Sequence, residues 1–366
     1  MAGLKIRGLK KAFDKHVVLE NLDLDIVDGE CFVLLGPSGC GKTVLVRQIA
    51  GFDTPDAGEI HIGERLVTSI SRGIALPAED RGFSMVFQDY AVWPHMTVGE
   101  NVRYPLKIQG TPPHEAGERV GQAIKQVGLA GLEQRLPSQL SGGQQQRIAI
   151  ARALVSGPTI MLLDEPLSNL DANLREAMRF EIKELQRRNG VTVMYVTHDQ
   201  EIAFAIADRI GMMDATGHIR QVGTPEQVFD LPVDSFVFDF LGVSNFIRVE
   251  RRGEQVHAIG ADTPFGIPVD AEILQRVASG DSVAACRPFE IDLVSPERGV
   301  PGVILRRTYL GPTVDYRVRI GEVDVQVIQD IADAHGSGWR FNEGDRCGLV
   351  FSRLRWYDAA SMPKER

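Results

Sequence analysis

The sequence predicts an α/β protein, with a mixed sheet flanked by helices, followed by a small all-β domain. The first observation is a set of short, almost continuously apolar runs that alternate with helical patterns up to about residue 240. Such runs are typical of parallel strands buried on both faces; they are CFVLLG (31–36), FSMVFQ (83–88), TIMLLD (159–164) and VTVMYVTH (191–198). The second observation is a change after residues 236–246, where short segments recur between Gly-, Pro- and Asp-rich breaks.

The composition is that of a globular protein. Of the 366 residues, 43% are hydrophobic and 24% are charged, and this length allows two domains. No window approaches the ~18–20 consecutive apolar residues of a membrane-spanning helix. The start, MAGLKIRGLKKAF, lacks the apolar core of a secretory signal. We therefore expect a cytoplasmic protein, whose role at a membrane would come from docking onto another protein.

Charge and cysteine spacing argue against two other classes. The formal net charge of −9 argues against a nucleic-acid partner, since such proteins present a basic face. The four cysteines, Cys31, Cys40, Cys286 and Cys347, form no CxxC pair. This excludes a zinc ribbon and fits a reducing compartment. Cys40 lies inside a glycine-rich loop, where we interpret it as a small residue in a tight turn rather than as a redox switch.

The change in sequence pattern near residue 240 predicts two domains, 1–240 and 241–366. Within the first, NLDLDIVDG (21–29) alternates apolar and acidic residues and predicts a half-exposed antiparallel strand near a sheet edge. Residues 98–139 are helical in pattern and contain a loop-like break, QGTPPHEAG. We therefore expect a helical subdomain over about residues 89–157.

The stretch GPSGCGKT (36–43) matches the phosphate-loop pattern GxxxxGK[ST] between a predicted strand and a predicted helix. Its glycines let successive N–H groups turn toward phosphate oxygens, and the helix N-terminus adds its dipole. We expect Lys42 to reach the β- and γ-phosphates and the Thr43 hydroxyl to ligate Mg²⁺. The predicted nucleotide-binding residues of this segment are Gly36, Pro37, Ser38, Gly39, Cys40, Gly41, Lys42, Thr43 and Val44.

Two adjacent carboxylates follow the apolar run in IMLLDEP (160–166). At a strand end beside a phosphate loop, Asp164 can hold Mg²⁺ or its water shell. Glu165 is then placed to orient and deprotonate an attacking water. We therefore predict that Asp164 is a metal ligand and Glu165 the catalytic base.

A second glycine-rich stretch, LSGGQQQR (140–147), precedes the helical pattern IAIARALVSG. It places Ser141, Gly142 and Gly143 at a helix N-terminus, which is another anion site by the same physics. One such loop is enough for the phosphates of one nucleotide, so the presence of two in one chain needs an explanation.

Together these motifs resemble the nucleotide-binding subunits of ATP-binding cassette (ABC) transporters over residues 1 to about 240. In that family two cassettes pack head to tail, and each serine–glycine motif caps the γ-phosphate bound by its partner. The resemblance therefore implies that Ser141, Gly142, Gly143 and Gln144 contact the nucleotide held by a second chain. Two loops are needed because each chain contributes to two sites.

The resemblance also implies roles for single positions. Phe13 in KKAFDK matches the aromatic residue that stacks on adenine, and Gln88 matches the glutamine that contacts Mg²⁺ and the water. Asp171 in SNLD matches the main residue of the loop that crosses the dimer interface, and His198 in YVTHDQE matches the histidine that clamps the γ-phosphate. Val44 departs from the family, which often has a second threonine there; this removes at most an auxiliary phosphate contact.

The kind of cassette is indicated by the segment between Gln88 and Ser141, about fifty residues long. This is too short for the coiled-coil arms of DNA-repair relatives, and DYAVWPHMTVGENVRYPLK (89–107) resembles importers. The tail resembles the transport-associated OB-like (TOBE) domain of importer ATPases, with RPFEIDL (287–293) and YLGPTVDYRV (309–318) as its least generic pieces. It is either a regulatory, effector-binding domain or a scaffold that stabilises the dimer, and we favour the scaffold.

The resemblance implies an ATP- and Mg²⁺-dependent ATPase that acts as a homodimer on the cytoplasmic face of the inner membrane. Its partners would be two membrane permease subunits and, indirectly, an extracytoplasmic solute-binding protein, with no nucleic acid. The solute would be ferric iron or another inorganic ion, with polyamine, sulfate or sugar as alternatives. A soluble ABC ATPase without a permease stays open as an alternative. A catalytically inactive cassette is disfavoured by Glu165 and His198.

Overall fold

The structure is a computed structural model that describes residues 2–168, 170, 172–331 and 341–361. The chain forms two compact units, one ending at Leu231 and the next beginning at Pro232. This division lies slightly earlier than the boundary expected near residue 240. The short helix Ser235–Phe240 belongs to the second unit because its Phe238 packs against core residues there, Val283, Ala285 and Tyr357.

The first unit is built on a six-stranded sheet in the order β11-β10-β3-β9-β8-β7. All neighbouring strands are parallel except the β10–β11 pair. The strands are β3 (Cys31–Leu35), β7 (Phe83–Val86), β8 (Ile160–Asp164), β9 (Thr192–Thr197), β10 (Arg209–Met213) and β11 (Ile219–Gly223). Every residue of β3, β8 and β9 is buried, as the apolar runs predict for strands covered on both faces.

A second, antiparallel sheet of this unit has the order β2-β1-β4-β5-β6. Its strands are β1 (Leu4–Phe13), β2 (His16–Ile26), β4 (Ala57–Ile62), β5 (Arg65–Ser69) and β6 (Ile74–Ala75). The predicted alternation is present in β2, where Leu22, Leu24 and Ile26 are buried while Asp23 and Asp25 are exposed. The buried side chains share one core with those of β3, β8 and β9.

The helices of the first unit are α1 (Lys42–Ala50), α2 (Val98–Ile108), α3 (Pro113–Gln126), α4 (Gly142–Val155), α5 (Ala172–Asn189), α6 (Gln200–Ile206) and α7 (Pro225–Asp230). Helices α2, α3 and α4 contact one another, within the segment expected to be helical. The break predicted over QGTPPHEAG is shorter than expected, because α3 already begins at Pro113. Proline is compatible with the first helical turn, where its missing N–H would have no partner.

The second unit is mostly β, as predicted. Its two sheets have the orders β13-β12-β14-β20 and β15-β19-β16-β17-β18 and enclose one apolar core. Its elements are α8 (Ser235–Phe240), β12 (Asn245–Arg252), β13 (Gln255–Ala258), α9 (Ala271–Ala278), β14 (Ser282–Cys286), β15 (Ile291–Val294), β16 (Val300–Tyr309), β17 (Thr313–Ile320), β18 (Val323–Asp330), β19 (Arg346–Phe351) and β20 (Arg355–Asp358).

Two residues of RPFEIDL, Arg287 and Glu290, make side-chain contacts inside the second unit. Arg287 is 1% exposed, donates to the Gly242 carbonyl at 3.1 Å and lies 4.0 Å from the ring centroid of Phe238. Burial lowers the pKa of its guanidinium to about 10. Glu290 accepts hydrogen bonds from Arg355 at 2.8 and 3.0 Å. The conspicuous motif of the tail is therefore explained by internal contacts.

No helix within the described ranges is both long and apolar enough to cross a membrane.

Candidate nucleotide-binding and hydrolytic site

The candidate site lies at the carboxyl edge of β3, β8 and β9. In the parallel register Leu35 lies opposite Thr197, and Asp164 lies opposite Val196. The residues that follow these strand ends therefore leave the sheet side by side. This brings together the phosphate loop, Glu165 and His198, which are far apart in the sequence.

At three positions of the phosphate loop, the backbone conformation or the close packing favours glycine over other residues. A Cβ on Gly36 would lie 2.4 Å from the Met213 carbonyl oxygen. Gly39 and Gly41 have φ values of 81° and 103°, a region that other residues rarely adopt. Gly41 is the N-cap of α1 and offers no side chain to its N–H groups. These N–H groups are therefore available to an anion such as a phosphate.

Lys42 lies across this loop. Its Nζ donates to the carbonyl oxygens of Gly36 at 2.9 Å and Pro37 at 2.8 Å, and the residue is 4% exposed. A buried cation is thus held at the anion site. Cys40 is 2% exposed, and burial raises the pKa of its thiol against the opposing effect of Lys42. A protonated, buried thiol agrees with the interpretation of Cys40 as a small loop residue.

Thr43 and Asp164 form the first side-chain pair of the site. The Thr43 hydroxyl donates to Asp164 Oδ1 at 3.2 Å, which links the first turn of α1 to the end of β8. Asp164 is 8% exposed. Burial raises the pKa of its carboxyl group, while the Thr43 hydrogen bond lowers it. A carboxylate that burial disfavours in this way is stabilised by any cation that binds next to it.

Glu165 and His198 form the second pair, with 3.1 Å between Glu165 Oε1 and His198 Nδ1. In the tautomer that carries a proton on Nδ1, the imidazole donates this hydrogen bond to the carboxylate oxygen. Glu165 has a φ of 47°, which is uncommon for a residue other than glycine and marks local strain. Its backbone is held by bonds to Val196 and Ser168 at 3.0 and 3.2 Å.

The other predicted site residues are not part of these two hydrogen-bonded pairs. Phe13, the last residue of β1, is 48% exposed, which leaves its ring accessible. Gln88 is exposed and lies two residues beyond the end of β7 at Val86, so the strand is shorter than FSMVFQ predicts. Val44 packs against the apolar core. Asp171 lies outside the described residues.

The second glycine-rich loop forms the N-terminus of the fourteen-residue helix α4. Ser141 is the N-cap, and its Oγ accepts from the Gln144 N–H at 3.4 Å while Gln144 Oε1 accepts from the Ser141 N–H at 3.0 Å. Ser141 and Gly142 are exposed. The loop therefore forms a capped, accessible helix N-terminus, and an anion site at this position stays a prediction.

Several residues around this site carry no signal of their role in the sequence. Arg81 is 4% exposed and donates to the carbonyls of Gln48 at 2.9 Å and Ile49 at 2.8 Å, which caps the C-terminal end of α1. A cavity of about 50 Å³ beside Glu165 is lined in part by Arg175, Tyr195 and Asp199. Arg81 and Arg175 lie outside the motifs, and Tyr195 and Asp199 lie within YVTHDQE, where only His198 is assigned a role.

These features define a P-loop nucleoside triphosphatase. A phosphate loop follows one strand of a parallel sheet, and an Asp–Glu pair and a histidine follow neighbouring strands. Comparison with known proteins gives its family. The ABC transporter family profile matches residues 19–168. A solved structure of CbiO1 from Clostridium perfringens, part of the ABC transporter complex CbiONQ, superposes with a TM-score of 0.57 at 27% identity, covering 62% of this chain and 90% of that one.

Several full-length relatives are closely similar. The trehalose/maltose import ATP-binding protein MalK of Thermococcus litoralis is 48% identical over 92% of this chain and 97% of the relative. The spermidine/putrescine import ATP-binding protein PotA of Marinobacter nauticus is 46% identical, over 85% and 83%. The Fe(3+) ions import ATP-binding protein FbpC of Rhizobium etli is 45% identical, over 87% of both. The chain belongs to the ABC transporter family, as an importer-type ATPase that binds ATP.

Proposed function

We propose that this ATPase hydrolyses ATP at sites shared between two copies of the chain, and that ATP binding and hydrolysis together drive uptake of a solute through membrane permease subunits. The observation that carries the proposal is the presence of two hydrogen-bonded pairs, Thr43–Asp164 and Glu165–His198, beside the phosphate loop. The first pair offers oxygen ligands to a cation. The second offers a base with a partner that orients it.

The metal would be Mg²⁺, held by Thr43 and Asp164. Mg²⁺ prefers oxygen ligands and usually keeps waters and phosphate oxygens around one or two carboxylates, and a hydroxyl with one buried carboxylate fits this pattern. Gln88 is the further proposed contact to the metal and the water. When bound, the ion would neutralise charge that develops on the β- and γ-phosphates.

Glu165 is the proposed general base, and His198 the residue that clamps the γ-phosphate. A positioned base of this kind is worth roughly 10²–10⁴-fold in rate. The 3.1 Å hydrogen bond and the strained backbone of Glu165 fix where its carboxylate lies before substrate binds. Preorganisation of this sort reduces the rearrangement needed during the reaction.

The two helix N-termini support a shared site. The phosphate loop already supplies one N-terminus for the nucleotide bound by its own chain, so the exposed N-terminus of α4 is free to bind the γ-phosphate held by a second copy. Ser141, Gly142, Gly143 and Gln144 would make that contact, and Asp171 would cross the interface. The accessible ring of Phe13 would stack on adenine.

The partners would be two permease subunits gripped by the helical segment 89–157, at the cytoplasmic face of the inner membrane, and indirectly a solute-binding protein. The relatives named above are import proteins, and CbiO1 belongs to a transporter complex. ATP would close the dimer and drive the permease to its other access state. A shift of this kind requires ATP to bind the closed form more tightly, by several kcal/mol for a decisive change.

The solute is proposed only as a class, a small polar or charged species. Relatives named for ferric iron, polyamines and trehalose/maltose are 45–48% identical to this chain. Sequence identity therefore does not distinguish between these classes of solute. The TOBE-like second unit is proposed as a scaffold for the dimer. The internal contacts of Arg287 and Glu290 support that choice over an effector site.

The test is purification of the tagged full chain from gently solubilised membranes with ATP and Mg²⁺, followed by mass spectrometry. Permease subunits that co-purify would support the transport proposal. The solute-binding protein encoded with them would then be screened with ferric iron, spermidine, trehalose and sulfate. Recovery of only soluble partners, with the chain absent from membranes, would favour an ABC ATPase that acts without a permease.

A further inference from the structure

The cavity next to Glu165 contains two polar groups that the proposed mechanism leaves unexplained. Tyr195, on β9, is 0% exposed, and among the described residues its hydroxyl has no hydrogen-bond partner. The same holds for the buried Nε of Arg175 on α5. Buried donors without partners are rare in native proteins because each leaves its desolvation uncompensated.

Both residues line one cavity together with Glu165, whose carboxylate can accept a hydrogen bond. The cavity measures about 50 Å³ and is lined by Tyr195, Arg175, Glu165, His198 and Asp199, among others. Arg175 is oriented by bonds from its guanidinium to Asp199 Oδ2 at 3.3 Å and the Leu170 carbonyl at 3.0 Å.

The Tyr195 hydroxyl is a neutral donor. Burial raises its pKa well above the usual range, and the negative charges of Asp199 and Glu165 raise it further.

A water molecule fits both the size and the chemistry of this space. A cavity needs only about 10–15 Å³ to hold a water, which requires two to four polar partners. If both donors bind one water in this cavity, they satisfy both of its lone pairs. The hydrogens of that water are then left to point toward carboxylates, and Glu165 is a carboxylate of the same cavity.

We propose that Tyr195 and Arg175 hold a buried water that donates a hydrogen bond to the carboxylate of Glu165 and so fixes its position for hydrolysis. Tyr195 and Arg175 are positioning residues, since neither contacts the nucleotide in this account. His198 holds the same carboxylate by a direct bond, and the water provides a second constraint. This inference rests on the proposed role of Glu165 as the base.

The test is Tyr195→Phe in the full chain, which removes the hydroxyl and keeps the ring. We expect kcat for ATP hydrolysis to fall about tenfold, because without Tyr195 the water no longer holds the Glu165 carboxylate by its hydrogen bond, and KM for ATP to stay unchanged within about twofold. The Tm should fall by roughly 2–4 °C, because the water loses a partner. In a Glu165→Gln background, Tyr195→Phe should leave ATP-dependent dimerisation intact.

Thr68→Val is the matched control. Thr68 lies on β5, is 0% exposed, and its hydroxyl also lacks a partner among the described residues, but it does not line the cavity. Its removal should leave kcat unchanged and leave or raise the Tm. If Tyr195→Phe behaves like Thr68→Val, or changes KM as much as kcat, the inference is wrong.

Two further measurements separate the inference from the proposed function. If Glu165→Gln hydrolyses ATP at the normal rate, the role of Glu165 fails. If Glu165→Gln is inactive while Tyr195→Phe is normal, only the water-mediated positioning fails. Should Tyr195→Phe not fold, a high-resolution crystal structure of the native chain decides. A water within about 3.2 Å of both Tyr195 Oη and a Glu165 oxygen supports the inference, and a dry cavity overturns it.

Discussion

Glu165 and His198 leave the ends of adjacent parallel strands and meet at 3.1 Å, although 33 residues separate them in the chain. The strand register creates this contact, because Asp164 of β8 lies opposite Val196 of β9. Glu165 is the more enclosed of the two side chains, at 18% exposure against 50% for His198. The imidazole can therefore reach a ligand in solvent while it holds the carboxylate.

His198→Ala should lower kcat for ATP hydrolysis by about 10²-fold, because the base loses its oriented partner. ATP binding to the monomer should persist, since Lys42 and the phosphate loop are untouched. Steady-state ATPase assays and nucleotide titration measure the two effects. His218→Ala, with the same side-chain exposure of 50% but on the β10–β11 turn, is the control and should keep the full rate. A normal rate for His198→Ala would exclude its proposed role.

Ser141→Ala should reduce hydrolysis without weakening ATP binding to the isolated monomer, because its hydroxyl is proposed to act on the nucleotide of a second chain. The substitution also removes an N-cap, which costs about 1 kcal/mol of stability. Thr97→Ala removes the equivalent capping box of α2 and controls for that loss. Lower monomer affinity in Ser141→Ala, or equal loss of rate in Thr97→Ala, would contradict the cross-dimer account.

Asp164→Asn should raise the thermal stability of the nucleotide-free protein at neutral pH while it weakens Mg²⁺-dependent activity. Burial raises the pKa of Asp164 in the folded state, so folding favours the protonated carboxyl. The resulting loss of stability is absent below the carboxyl range of the unfolded chain and grows as pH rises through the folded pKa. The Asp164→Asn variant should gain roughly 2–4 °C in Tm over the native chain at pH 7.5 and clearly less at pH 4.5. An equal gain at both would refute this cause.

Arg81→Met should destabilise the first unit by about 2–3 kcal/mol, because the carbonyls that end α1 lose a charged, buried donor. Arg65→Met is the control, since Arg65 donates to the exposed Asp80 carbonyl at 2.6 Å and its loss should change stability by less than about 0.5 kcal/mol. Thermal or urea unfolding measures both. Equal stability of the two variants would show that the α1 cap contributes little.

Those parts of the fold with a local signal in the sequence were predicted from it. Strands β3, β8 and β9 are buried on both faces, so their inner residues are almost continuously apolar. Both glycine-rich motifs lie at helix N-termini, as their short contiguous patterns predict. Helix α9 was missed within a tail interpreted as β, although Asp270 caps its first turn and Val277 is buried on one face.

The supporting residues of the site could not be predicted because tertiary contacts alone define them. Arg81 acts on Gln48, 33 positions earlier, and Arg175 on Asp199, 24 positions later. Tyr195 is one more bulky residue in an apolar strand until its neighbours are known. Burial then shows that its hydroxyl needs a partner. Residue type and spacing carry no such information.

The most direct test of the central claim is ATP hydrolysis and oligomeric state of Glu165→Gln, measured together by ATPase assay and gel filtration with and without ATP. Glu184→Gln, on the exposed surface of α5, serves as the control. The account predicts that Glu165→Gln loses about 10²–10⁴-fold in turnover, still binds ATP and elutes as an ATP-dependent dimer. A Glu165→Gln protein that turns over like Glu184→Gln would remove Glu165 from the role of base.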